Sequence, residues 1–260
     1  MEPSRDGSTL TSRAICPPRG RESTVDRPGA FSRRATAGNV GYAILRSAVA
    51  KISGREALDR LREGNRRFVG GKRTWRGSGA ESERVELVDG QAPFAIVLGC
   101  SDSRVPTEIV FDQGLGDLFV IRVAGNVVAP SQVGSVEFAA GQFGTPLVVV
   151  LGHSRCGAVQ ATLDELRRPT ESQSPNLRSI VDRVRPAVEP LLATELRDDP
   201  HALERAAVRA NVRASVGHLR RGSALLERLV ERGELLIVGA EYSLETGVVD
   251  VFDLPDVGPP

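Results

Sequence analysis

The chain reads as an α/β protein built on a mostly parallel central β-sheet of four to five strands flanked by helices. Three observations predict this. Residues 95–98 and 147–151 are unbroken apolar runs of strand length, the pattern of strands buried on both faces of a parallel sheet. Residues 118–123 and 235–238 are two further strand candidates. Stretches of helical periodicity separate the runs, and strand–helix alternation requires right-handed crossovers between parallel strands.

In chain order, residues 1–50 are rich in Arg, Ser, Pro and Gly and read as a disordered extension. Within it, Arg33-Arg34 precedes a weakly apolar stretch, a faint twin-arginine export signal that Arg46 interrupts and that lies far from Met1. A misassigned start codon would account for the same tail. One domain is expected over 51–254, with a short tail at 255–260. Ser53, with Glu56 three residues on, forms a capping box for a helix over 55–68, where Ala57, Leu58, Leu61 and Phe68 recur at helical spacing. A short helix follows over 82–88. Further helices are expected over 106–111, 131–143, 157–167, 176–192 and 201–232. The last is broken near Gly222, where Ser223 can cap a new start. Residues 248–252 alternate weakly and suit an edge strand.

Composition narrows the function classes. At 260 residues and 40% hydrophobic, the chain can bury a full core. A net charge of +1 provides no field for nucleic acid or an anionic membrane, so neither is expected as a partner. No apolar run reaches the length of a membrane span. Three cysteines are too few for a disulfide framework.

Two of those cysteines sit in a pattern with chemistry in it. Cys100-Ser-Asp102-Ser-Arg104 follows the first apolar run, and His153-Ser-Arg-Cys156 follows the second, each directly after a glycine. Both segments therefore fall at the carboxyl ends of buried parallel strands, where ligands bind in open α/β sheets. Alone, each cysteine reads as a small buried hydrophobe and the histidine as a core residue. Together they form a Cys/His/Cys set, which leaves tetrahedral zinc one position short and so points to a catalytic site. Cys16 falls in the extension and is a poor fourth ligand, while His201 and His218 fall on surface helices. Thiolate ligands suit a reducing compartment, which makes a cytoplasmic location the expectation.

Cys-Ser-Asp-Ser-Arg and Gly-His-Ser-Arg-Cys-Gly resemble the zinc motifs of bacterial-type β-class carbonic anhydrases. The likeness runs from about Ser53 to Asp253, through Gly64-Asn-Arg-Arg-Phe68, Phe111-Asp-Gln-Gly-Leu-Gly-Asp-Leu-Phe119, Arg122-Val-Ala-Gly-Asn126 and Gly134-Ser-Val-Glu-Phe138. It implies one Zn2+ per chain on Cys100, His153 and Cys156, and reversible hydration of CO2 to bicarbonate and a proton by zinc-bound hydroxide. It also implies a homodimer that often pairs further, with the active site at the dimer interface.

Asp102 and Arg104 match the family's catalytic dyad. An ionised Asp102 only accepts hydrogen bonds, so it would take the hydroxide's proton and leave a lone pair facing CO2. Arg104 would restrain it through a bidentate pair. In some members the equivalent Asp moves onto zinc, and the sequence leaves that open. Gln91 matches the substrate-binding glutamine, Phe119 an apolar pocket wall, and Phe138 stands where many members have Tyr. Without the resemblance these three would be a turn glutamine and two core aromatics. Arg122 and Tyr242 match two of three residues in a second bicarbonate site that some members carry. Val97 replaces its Trp, so bicarbonate-driven inhibition there is not expected.

Other readings stay open at this point. A hydrolase of carbonyl sulfide or carbon disulfide could use the same scaffold. A non-catalytic zinc protein would not need Asp102 and Arg104, and a redox role lacks a Cys-x-x-Cys pair.

Overall fold

The computed structural model describes residues 52–74, 81–169 and 174–255. The extension expected over 1–50, with Cys16 and Arg33-Arg34, lies outside the described residues, as do residues 256–260. Helix α1 (Gly54–Val69) starts where the capping box places it. Ser53 Oγ accepts the Glu56 N–H at 3.2 Å, and Glu56 Oε2 accepts the Ser53 N–H at 2.7 Å. Helix α2 (Glu81–Glu86) is a short prelude to the sheet.

Strands β1 (Ala95–Gly99), β2 (Leu118–Arg122), β3 (Leu147–His153) and β4 (Leu236–Tyr242) are parallel. Strand β5 (Val249–Asp253) runs antiparallel to β4 at the sheet's edge, and the order is β2-β1-β3-β4-β5. Strands β3 and β4 extend beyond their apolar runs because the ladder continues through the pairs Gly152↔Glu241 and His153↔Tyr242. Hydrogen bonding there outlasts the hydrophobic pattern.

Helices α3 (Thr107–Val110), α4 (Pro130–Phe138), α5 (Gly157–Arg167), α6 (Pro175–Val188), α7 (Pro200–Arg221) and α8 (Ala224–Glu231) fill the connections. The stretch expected as one helix over 131–143 is α-helical to Phe138 and then widens into a π turn, Ala139–Phe143. Likewise α6 gives way at Val188 to a 3-10 turn, Glu189–Ala193, since Pro190 has no N–H with which to continue the ladder. The break at Gly222 is as expected, and Ser223 Oγ caps α8 by accepting the Leu226 N–H at 3.2 Å.

Alternation along the strands divides the core. Val97, Val149 and Val238 face α1, where Leu58 and Leu61 are buried against them. Ile96, Leu98, Val148, Val150 and Ile237 face Val212, Val216 and Leu226 of α7 and α8. Each such Leu or Ile removed from water contributes about 1.5–3 kcal/mol. Close approach of α7 to the sheet depends on Gly152, where a Cβ would stand 2.6 Å from Val212 Cγ2. A third cluster from α5, α6 and α7 closes over the carboxyl ends of the strands and takes in Cys100 and Cys156. Among the described residues no helix is long and apolar enough to cross a membrane.

Candidate metal centre

Each candidate ligand stands at the end of a structural element. Cys100 is the residue after β1, His153 is the last residue of β3, and Cys156 is the N-cap of α5. All three are buried. One atom from each, two sulfurs and an imidazole nitrogen, lie within 4.8 Å of one another. His153 Nδ1 lies 2.9 Å from the Ser154 carbonyl oxygen, to which it donates in the neutral Nδ1–H tautomer. That turns the Nε2 lone pair inward, and Nε2 is buried with no hydrogen-bond partner. An orphaned acceptor beside two sulfurs is the donor geometry of a metal ligand.

The charges agree. The hydrogen bond from the Cys156 thiol, aided by His153 and the Gly125 N–H, pulls the Cys100 thiol down to about 4 against the effect of burial. Sharing its proton with Cys100, together with burial, pushes Cys156 up. Burial works against a proton on His153, yet the Cys100 sulfur and the Ser154 carbonyl raise its pKa. Negative potential is therefore focused between the three groups, and a cation meets the same field. The Gly125 N–H donates to Cys100 Sγ at 3.4 Å. Its loop is pinned from α7, where Asn211 Nδ2 donates to Gly125 O at 2.7 Å and Ser215 Oγ to Asn126 O at 3.0 Å.

The Asp102–Arg104 pair is formed. Arg104 donates from Nε to Asp102 Oδ1 at 2.9 Å and from Nη2 to Oδ2 at 2.7 Å, and its backbone N–H adds a third bond to Oδ1 at 3.0 Å. Those bonds hold the Asp102 carboxyl well below the usual carboxylate range. Asp102 Oδ2 lies 3.9 Å from His153 Nε2, so the carboxylate borders the donor set while facing Arg104.

Two supports were not foreseen. Arg122, at the carboxyl end of β2, donates to the carbonyl oxygens of Cys100 and Asp102 at 3.0 and 2.6 Å. It thus supports the first ligand's turn, while Val97 and Tyr242 are buried. The signal that could have found it is position, since the end of β2 opens onto the same edge as β1 and β3. The second support is Glu245, whose carboxylate accepts from Ser154 and Arg155 between the other two ligands. No sequence signal marks it.

The remaining candidates are not gathered here by their own chain. Phe119 pairs with Ile96 in the sheet, four residues before Cys100, or about 13 Å along a strand. It packs with Phe138 and Phe143 at centroid distances of 6.3 and 6.2 Å, and Phe138 is 52% exposed. Gln91 is exposed on the loop entering the opposite end of β1. His201 and His218 are exposed on α7.

Comparison with known proteins gives the chain's relatives. A family model described as carbonic anhydrase matches residues 95–249. Carbonic anhydrase 2 of Mycobacterium tuberculosis is 41% identical over 192 residues, covering 72% of this chain and 87% of that protein. A carbonic anhydrase of Mycolicibacterium smegmatis is 40% identical over 204 residues, covering 76% and 93%. The solved β-carbonic anhydrase CcaA matches with a TM-score of 0.61 at 28% identity, over 75% of this chain and 95% of that one. The β-carbonic anhydrase CafA of Aspergillus fumigatus matches with a TM-score of 0.59, also at 28% identity, over 73% and 90%. Matched over this much of its length, and folded around a mostly parallel sheet, the chain belongs to the β-carbonic anhydrase family.

Proposed function

We propose that this chain catalyses the reversible hydration of CO2 to bicarbonate and a proton, with one Zn2+ held by Cys100, His153 and Cys156. The observation that carries the reading is the buried donor set, its ligand atoms within 4.8 Å of one another, beside a carboxylate gripped by Arg104. Two sulfurs and an imidazole nitrogen suit zinc and are poor ligands for hard cations such as Mg2+ or Ca2+. When bound, zinc supplies Lewis acidity that brings the pKa of water toward neutral pH.

The chain's own residues do the rest. The Ser154 carbonyl fixes the His153 tautomer, and the Gly125 N–H tempers the charge on Cys100 Sγ. Asp102, kept ionised by Arg104, can only accept a hydrogen bond. Its Oδ2 takes the O–H of the attacking oxygen and turns a lone pair of that oxygen toward the substrate carbon. That proton stays on the oxygen as the new C–O bond forms. Asp102 therefore keeps the same hydrogen bond to the hydroxyl of bicarbonate, and the water's other proton passes to solvent.

The wall of the CO2 pocket is assigned to Gln91, Phe119 and Phe138 of a neighbouring copy in a homodimer. Their distance from the donor set of their own chain supports this, as does the exposed Phe138 ring, since aromatic residues are enriched at interfaces. Buried thiolate ligands favour a reducing, cytoplasmic setting.

Stopped-flow CO2 hydration on purified protein, with zinc quantified, tests the reading. Activity should follow zinc content. Chelation should abolish it while making two further thiols titratable, and added zinc should restore it. An inactive protein carrying one zinc per chain at alkaline pH would sink the proposal.

A further inference from the structure

We propose that Glu245, in the turn between β4 and β5, is a positioning residue for the Asp102–Arg104 pair and acts through the backbone of Arg155. The assignment rests on the hydration reaction proposed for this site. Residues 154 and 155 form the turn between the ligands His153 and Cys156. Arg155 adopts φ 56, a left-handed conformation that a long L side chain rarely takes. Such a conformation persists only where the surroundings enforce it.

Glu245 enforces it with both oxygens. Oε1 accepts from Arg155 Nε at 2.8 Å, while Oε2 accepts from Ser154 Oγ at 2.9 Å and from Ser243 Oγ at 3.2 Å. The backbone of the same segment adds two bonds, Leu244 N–H to Ser154 Oγ and Ser154 N–H to Tyr242 O, each 3.0 Å. In this conformation the Arg155 carbonyl oxygen faces Arg104 and accepts from Nη2 at 3.3 Å. That nitrogen is the one bonded to Asp102 Oδ2 at 2.7 Å. An unbroken series of contacts thus runs from Glu245 through Arg155 and Arg104 to Asp102. No member of it is a metal ligand. Side chains of Arg155 and Glu245 are 68% and 49% exposed, so their ion pair contributes little to stability and its role is orientation.

The test uses full-length, zinc-loaded protein. Glu245→Ala should lower kcat for CO2 hydration on the order of tenfold, with zinc stoichiometry unchanged and Tm close to wild type. Glu245→Gln, which keeps one acceptor oxygen, should fall between the two. In an Arg104→Ala background, Glu245→Ala should cost nothing more, because both changes disable one unit. Crystal structures of the zinc-loaded wild type and Glu245→Ala should show Arg155 leaving the left-handed region and Arg104 loosened from Asp102. An unchanged kcat, a loss that tracks lost zinc, or a full additional loss in the Arg104→Ala background would overturn the assignment. An inactive wild type would defeat the hydration reading instead, and the crystal comparison would still decide the role of Glu245.

Discussion

Arg122 Nη2 donates to the carbonyl oxygen of Asp102 at 2.6 Å, from a strand that carries no metal-ligand candidate. Its Nε reaches the Cys100 carbonyl at 3.0 Å, so a single planar group spans the proposed metal ligand and the carboxylate proposed to aim the attacking oxygen. Arg122→Met keeps the length and removes the donors. It should weaken zinc binding and hydration about 10–100-fold. Arg122→Lys has one point charge where two directed bonds are needed, and it should recover only part of the loss. Competition against a chromophoric chelator, alongside stopped-flow rates, measures both effects.

Asp102→Asn places an amide where only an acceptor serves, and its NH2 can donate to the attacking oxygen. Hydration should fall about a hundredfold or more, while zinc per chain stays at the wild-type value. Metal loss in parallel with activity would mean that Asp102 holds the centre together and does not aim the nucleophile.

Gly152→Ala tests how closely α7 approaches β3. Its new Cβ meets Val212 Cγ2 at 2.6 Å and Val208 Cγ1 at 3.2 Å, inside a close-packed core. Overpacking of this kind costs about 1–3 kcal/mol, and each kcal/mol lowers Tm by about 2–4 °C in a protein of this size. Val212→Ala in the same chain opens the space and should return part of the loss. Thermal unfolding of the single and double variants shows whether the contact is the cause.

Asp199 caps α7 by accepting the backbone N–H groups of Ala202 and His201, each at 3.0 Å. Those bonds, the Ala202 one first, lower its pKa from the ordinary value, with Arg205 and His201 nearby adding to the effect. An unfolded Asp titrates near about 3.9, so the contribution is present above about pH 4 and is lost as pH falls through the lower folded value. Asp199→Ala should therefore lower Tm at neutral pH, and the gap from wild type should shrink on acidification. A gap that stays constant into acid would rule out the carboxylate as its source.

Local chemistry and short periods made much of the fold legible. Ser53 and Glu56 are three residues apart, and Ser223 lies three before Leu226, so the caps of α1 and α8 are written in adjacent turns. The two glycines that precede Cys100 and His153 likewise placed the donor set at a sheet edge. Arg122 was singled out only through the resemblance, and its contacts to Cys100 and Asp102 stayed hidden because those partners lie 22 and 20 residues away, across a strand pairing. Glu245 lies 90 residues from Arg155, and only the ladder between β3 and β4 makes them neighbours. The π turn after α4 escaped for another reason, since Ala139–Phe143 has a composition that an ordinary α turn would also accept.

The ladder between β3 and β4 also has a consequence for the order in which the protein is made. Synthesis runs from the amino end, so Cys100, His153 and Cys156 emerge before β4 and the turn that carries Glu245. A growing chain thus owns all three proposed ligands while the proposed brace on Arg155 has yet to be translated. Under the assignments proposed above, the full donor set is made before the hairpin that completes the catalytic geometry.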